Sequence, residues 1–141
     1  YRNAAEIDRF YADEVAGDLA ETSRLGIGYL PVVFPGFSWH NLNERVPLNP
    51  IPRDAGRFYW HQVERALRAG STMLYGAMFD EVDEATAIFK TTSDTPDTGE
   101  VRFVSDKSVA NDRYLRLTGA AGKLLRGEIP ADTPVGTAIK P

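Results

Sequence analysis

Ser71-Thr72-Met73-Leu74-Tyr75-Gly76-Ala77-Met78-Phe79 is an apolar run that stops at Asp80-Glu81-Val82-Asp83-Glu84, four acids in five positions. Bounded by Gly70 and then by charge, the run is short enough for a buried strand. Acids at the end of a parallel strand stand where βα proteins gather their reacting groups. A helix beginning here would also account for them, since carboxylates near a helix N-terminus each gain about 0.3–1 kcal/mol.

Working upstream, residues 55–69 read as a helix with Phe58, Val63, Ala66 and Leu67 on the buried side and Gly70 as its stop. Ile27 to Phe34 is almost continuously apolar and β-branched, as in a strand buried on both faces, with Pro31 placing its start at or just after that residue. Residues 3–25 form an amphipathic helix through Ile7, Phe10, Tyr11, Val15 and Leu19, ended by Gly26. Downstream, Ala85–Phe89 continues as a short turn into a polar loop over 91–100. Val101–Ser105 fits a short strand, and residues 109–126 a helix with Val109, Tyr114, Leu115, Leu117, Ala121, Leu124 and Leu125 as its apolar set. Residues 128–141 read as an extended wrap or disorder. Strands alternating with helices imply an α/β fold of βαβ units on a parallel sheet with right-handed crossovers. A closed βα barrel needs eight strands and about 250 residues, so this chain supplies only part of one.

At 141 residues the chain is at most one ordinary domain, and 43% hydrophobic residues suffice for a packed core. A net charge of -4 with no basic patch argues against a nucleic-acid partner. Without cysteine there is neither a disulfide framework nor a thiolate metal site. No apolar run approaches the roughly 20 residues that span a bilayer. The start at Tyr1-Arg2-Asn3, with neither an initiator Met nor a signal-peptide pattern, suggests a piece of a longer protein.

Three constellations carry chemistry. On a helical turn, Glu81 and Glu84 would share a face with Cβ atoms roughly 5–6 Å apart, close to the roughly 5–5.5 Å between the carboxyls of a retaining glycosidase. Cβ spacing does not fix where carboxyls point. Asp80, Glu81 and Asp83 around a divalent cation are an alternative, although the spacing is not that of an EF-hand loop. The second constellation is Phe34-Pro35-Gly36-Phe37-Ser38-Trp39-His40-Asn41, opening a loop of about twenty residues, a length that usually marks function or disorder. Trp39 suits the C–H face of a sugar, and Ser38, His40 and Asn41 suit hydroxyls; packing within the loop is the plainer reading. In the third, Arg53 offers a planar fork for a carboxylate or sugar oxygen and Tyr59 a phenolic donor, against a loop-locking salt bridge and a core position. His61, within a helix, reads as structural.

Taken together, Pro31-Val32-Val33-Phe34-Pro35-Gly36-Phe37-Ser38-Trp39, Arg53-x-x-Gly56-x-x-Tyr59-Trp60 and Met78-Phe79-Asp80-Glu81-x-x-Glu84-x-Thr86-x-Ile88 resemble the C-terminal part of glycoside hydrolase family 99 and its bacterial relatives. That family carries Glu-x-x-Glu-Gly-Thr at the end of a late barrel strand. The resemblance implies the C-terminal βα units of a (β/α)8 TIM barrel over residues 1–127, with 128–141 as a tail. It implies a retaining hydrolase of α-glycosidic bonds, classically α-mannosides, needing no metal or cofactor, with a carbohydrate as its partner. The missing N-terminal barrel units, or another chain, would complete the fold. Glu84 would be the general acid/base, and Glu81 the carboxylate acting on the sugar's 2-hydroxyl. Trp39, His40, Asn41, Arg53 and Tyr59 would be substrate contacts. Ala85 stands where the signature has Gly, and Val82-Asp83 where mannoside-cleaving members have an aromatic-His pair, so the sugar is left open. A non-catalytic carbohydrate-binding or scaffold module is the contrasting reading. Bacterial enzymes of this kind commonly act outside the cytoplasm.

Overall fold

The computed structural model describes residues 1–96 and 98–139; Asp97, Lys140 and Pro141, which fall in the expected loop and tail, lie outside the described residues. The first helix begins as its cap dictates. Asn3 Oδ1 accepts from the Glu6 backbone N–H at 3.0 Å, satisfying a donor that a helix start leaves open, while Asn3 Nδ2 donates to the Glu6 side chain at Oε1, 2.9 Å away. The helix runs as α1 (Ala4–Phe10), a π-helical turn (Tyr11–Val15) and α2 (Ala16–Leu25), ending at Gly26 in the left-handed region. Ile7, Tyr11 and Val15, four apart, are its buried contacts.

Beyond it lies one βαβ unit. β1 (Val32–Val33) and β2 (Tyr75–Gly76) are parallel, with Val32 opposite Tyr75 and Val33 opposite Gly76, and α3 (Arg57–Arg68) joins them. β1 starts directly after Pro31, whose carbonyl still accepts from Tyr75 N at 3.0 Å. The strands are much shorter than the apolar runs that contain them, and they are not buried on both faces. Val32 and Tyr75 are 48% and 46% exposed, and Ile27, Leu30 and Met73 are exposed beside them, whereas Val33 is buried against α3. One face of the sheet is covered by helices and the other is open in this chain.

The helix α3 lies between two apolar clusters. Phe58 and Ala66 meet Ile7, Tyr11 and Val15 on one side. Tyr59, Trp60 and Val63 meet Val33, Ile88 and α4 (Arg113–Leu125) on the other, where Tyr114, Leu117, Ala120, Ala121 and Leu124 are buried. Each large side chain so enclosed contributes about 1.5–3 kcal/mol. Gln62, wholly buried, donates Nε2 to the Phe34 carbonyl at 2.8 Å and accepts the Phe34 N–H on Oε1 at 3.1 Å, fixing the exit of β1.

Two expectations change, and a third narrows to one of its alternatives. Leu115 points to solvent, and Val109 precedes α4 instead of lying within it. Val101–Ser105 forms no strand; among the described residues no ladder partner runs beside it, and side chains hold it instead, as where Ser105 Oγ donates to Ser93 O at 2.6 Å. The tail is an ordered wrap over its described part. Trp60 Nε1 donates to Thr133 O at 3.0 Å, a short α5 (Val135–Ala138) follows, and Ile139 joins the core.

Candidate functional site

After β2 the chain makes a closed excursion. Ala77 N donates to Val33 O at 2.9 Å, continuing the parallel pairing, and then Met78 N donates to Thr86 O and Ile88 N to Met78 O, both at 3.1 Å, forming the neck. The acids occupy the loop beyond it. Glu81 O accepts from Thr86 N at 3.1 Å and Ala87 N at 3.0 Å, and Ala85 closes a turn from Val82 with φ of 58°. No helix begins here, so the expected shared helical face of Glu81 and Glu84 is replaced by a turn. The helix-cap explanation of the acids falls with it.

Three residues from two distant segments shape this turn, all through its main chain. Ser38 N donates to Glu84 O at 2.7 Å, Asn41 Nδ2 to Asp83 O at 2.9 Å, and Arg53 Nε to Ala85 O at 3.0 Å; Arg53 Nη2 also donates to Ala87 O. Among the described residues, no hydrogen bond or ion pair engages the carboxylates of Asp80, Glu81, Asp83 or Glu84. Partial burial pushes the Glu84 carboxyl above the usual range, and the like charges of Asp83 and then Glu81 add to the shift.

The expected binding residues divide. Trp39, 43% exposed, presents its ring beside that of Phe37, with centroids 5.5 Å apart. His40 Nδ1 lies 2.7 Å from Val46 O and, since a carbonyl only accepts, carries a hydrogen there; Nε2 has no protein partner among the described residues. Asn41 has another task than a sugar contact. Its Nδ2 donates to Asp83 O and Arg102 O, and its Oδ1 accepts from Arg102 N, so its hydrogen-bonding capacity goes to clamping two loops. Arg53 has no ion pair among the described residues; its fork binds carbonyls. Tyr59, 1% exposed, bonds Thr118 Oγ1 at 3.1 Å and lies under Gly76, which places it in the core.

The cleft expected to unite Glu81, Glu84, Trp39, Arg53 and Tyr59 is therefore not formed by this chain alone. A cavity of about 340 Å³ lies instead behind the turn, lined by Arg53, Val82, Ala85, Ala87, Phe89, Lys90 and Phe103 with neighbouring threonines. Sequence reasoning missed Ser38 as a backbone clamp and Gly36 as the space for Arg53: a Cβ on Gly36 would stand 2.7 Å from Arg53 Cγ. The Pro35-Gly36 pair signals a turn, but not which side chain needs the room. Among the described residues no group of three or more His, Asp or Glu side chains is arranged to hold a metal ion.

Helices around a small parallel sheet, with acids at the sheet's C-terminal end, are consistent with part of a βα barrel, and solved structures share the arrangement. The chain superposes on two structures of the GH99 endo-α-mannosidase of Bacteroides thetaiotaomicron, one in complex with bis-tris-propane, with TM-scores of 0.70 and 0.67 and 20% identity in both. Each match covers 89% of this chain but only 37% and 35% of the enzyme's, so the chain spans little more than a third of the length of those chains. At this identity the likeness shows the fold. No protein-family model matches the chain, and no curated protein matches it by sequence.

Proposed function

We propose that this chain is the part of a retaining α-glycoside hydrolase that carries its two reacting carboxyls, Glu81 and Glu84. One observation carries the reading: the turn after β2 is held through its main chain, leaving Glu81 and Glu84 unengaged and the Glu84 pKa raised. Acids with a structural task would be paired or capping, and these are neither. The match to GH99 barrels supports a carbohydrate as substrate and further barrel units as the partner that covers the open sheet face and completes the cleft.

In this reading the Glu84 carboxyl gives its proton to the glycosidic oxygen as the bond to the anomeric carbon breaks and its electron pair goes to the leaving alcohol. Glu81 accepts the proton of the 2-hydroxyl, whose oxygen closes on the anomeric carbon. Water then opens that ring as Glu84, now a base, takes a proton from it, and Glu81 returns its own to the 2-oxygen. A raised Glu84 pKa keeps the acid protonated nearer neutral pH. Trp39 stacks on a sugar ring.

The test is E84Q in the full-length protein containing this chain. Turnover of an unactivated α-glycoside should fall by about 10²–10⁴-fold; near-normal turnover overturns the assignment. A second reading, a carbohydrate-binding module without catalysis, is favoured by the position of Glu81 and Glu84 outside the cavity behind the turn. Sugar binding with no hydrolysis, unchanged by E81Q or E84Q, would establish it instead.

A further inference from the structure

We infer that Arg53 is a positioning residue that aims the Glu84 carboxyl at the leaving oxygen by bridging the carbonyls of Ala85 and Ala87; this rests on the hydrolase reading above. Nε donates to Ala85 O at 3.0 Å and Nη2 to Ala87 O. These two acceptors flank Thr86, and the first belongs to the residue next to Glu84. Two donors on one rigid plane fix both a distance and an orientation, which a lysine ammonium, a point charge on a flexible stem, does not.

The guanidinium is itself held in place. Its central carbon lies 4.3 Å from the centroid of the Tyr114 ring, and its stem occupies the space that Gly36 leaves for lack of a Cβ. The Arg53 carbonyl accepts from Gly56 N at 2.9 Å and from Tyr114 Oη at 3.5 Å. Asp54, Ala55 and Gly56, directly after it, all have positive φ (49°, 50° and 90°), and Arg113 Nε donates to Ala55 O at 3.2 Å. Non-glycine residues seldom adopt that conformation, and it persists where the surroundings over-determine it. Here it serves to bring Arg53 beneath the acidic turn.

A purely structural arginine and a positioning one differ in which substrates suffer on its removal. In the full-length protein, kcat and KM of R53A and R53K should be measured on two α-glycosides of the same sugar. One has a sugar leaving group that must be protonated, the other fluoride, which leaves without a proton. On the first, kcat/KM should fall about 100-fold in both variants, the scale of a misplaced reacting group. On the fluoride the loss in kcat/KM, which covers only the steps up to fluoride departure and not the later one in which Glu84 acts as a base, should stay within about threefold, because general-acid assistance is not required.

Equal losses on both substrates, or wild-type activity in R53K, would overturn the inference. Where R53A does not fold, R53K, which keeps the charge and most of the stem, carries the test. E84Q in the same assays separates the two readings. An E84Q active on the substrate with the sugar leaving group overturns the hydrolase reading and this inference with it, whereas an E84Q inactive on that substrate, beside R53 variants without leaving-group dependence, removes this inference alone.

Discussion

The backbone N–H of Ser38 donates to the carbonyl oxygen of Glu84 at 2.7 Å, so the segment leaving β1 holds the segment leaving β2. Ser38 is itself buried, and its Oγ accepts from Asn49 N at 3.2 Å. The parallel pairing of Val33 with Gly76 thus continues past the sheet as loop-to-loop contact, and the acidic turn inherits its position from the strands.

Replacing the raised acid should stabilise the fold at neutral pH. A carboxyl whose folded pKa lies above its unfolded value loses stability as pH rises from the unfolded value through the folded one, because the unfolded chain ionises first. For Glu84 that loss begins near 4.5 and is complete above its raised folded value. E84Q should therefore melt above wild type at neutral pH and close to it under conditions more acidic than 4.5. Thermal melts across that range check the sign; a gap independent of pH would contradict it.

Ala85 tests the turn itself. Its φ of 58° lies in the left-handed region, which a β-branched residue resists more strongly than alanine. A85V should lose about 1–3 kcal/mol or more in chemical denaturation. A85G should stay within about 1 kcal/mol of wild type, since relief of strain offsets both the greater freedom of glycine in the unfolded chain and the lost buried methyl. Equal stability of A85V and A85G would show that the turn is not as described.

Trp39 separates binding from folding. Because its side chain is largely exposed, W39A should shift stability by no more than about 0.5 kcal/mol. Its affinity for an oligosaccharide substrate should fall about tenfold, equivalent to about 1.4 kcal/mol, with KM rising and kcat little changed. Isothermal titration with the E84Q background avoids turnover, and unaltered affinity would remove Trp39 from the sugar site.

The helices were legible because their signal is local: Ile7, Tyr11 and Val15, or Phe58, Val63 and Ala66, mark a face whatever lies beyond it. The apolar runs around β1 and β2 located the strands but overstated their length and burial. An apolar Ile27 or Tyr75 reads the same whether the sheet's second face is covered within this chain or left open. The acidic turn was found by composition, and its shape was not, since the left-handed Ala85 is set by contacts from Ser38 and Arg53, far away in sequence. Arg53 and Asn41 were recognised as polar groups worth noting. Their partners are main-chain carbonyls, which every residue has and which no sequence pattern marks.

A scaffold that grips only the peptide groups of its business end is indifferent to the side chains displayed there. Ser38, Asn41 and Arg53 would hold the same loop with glutamines at 81 and 84 as with glutamates. A hydrolase built in this way could lose its reaction in one or two substitutions and keep its shape. An inert variant would then serve as a trap for captured glycans, and a lineage could drift from cutting sugars to merely holding them without refolding.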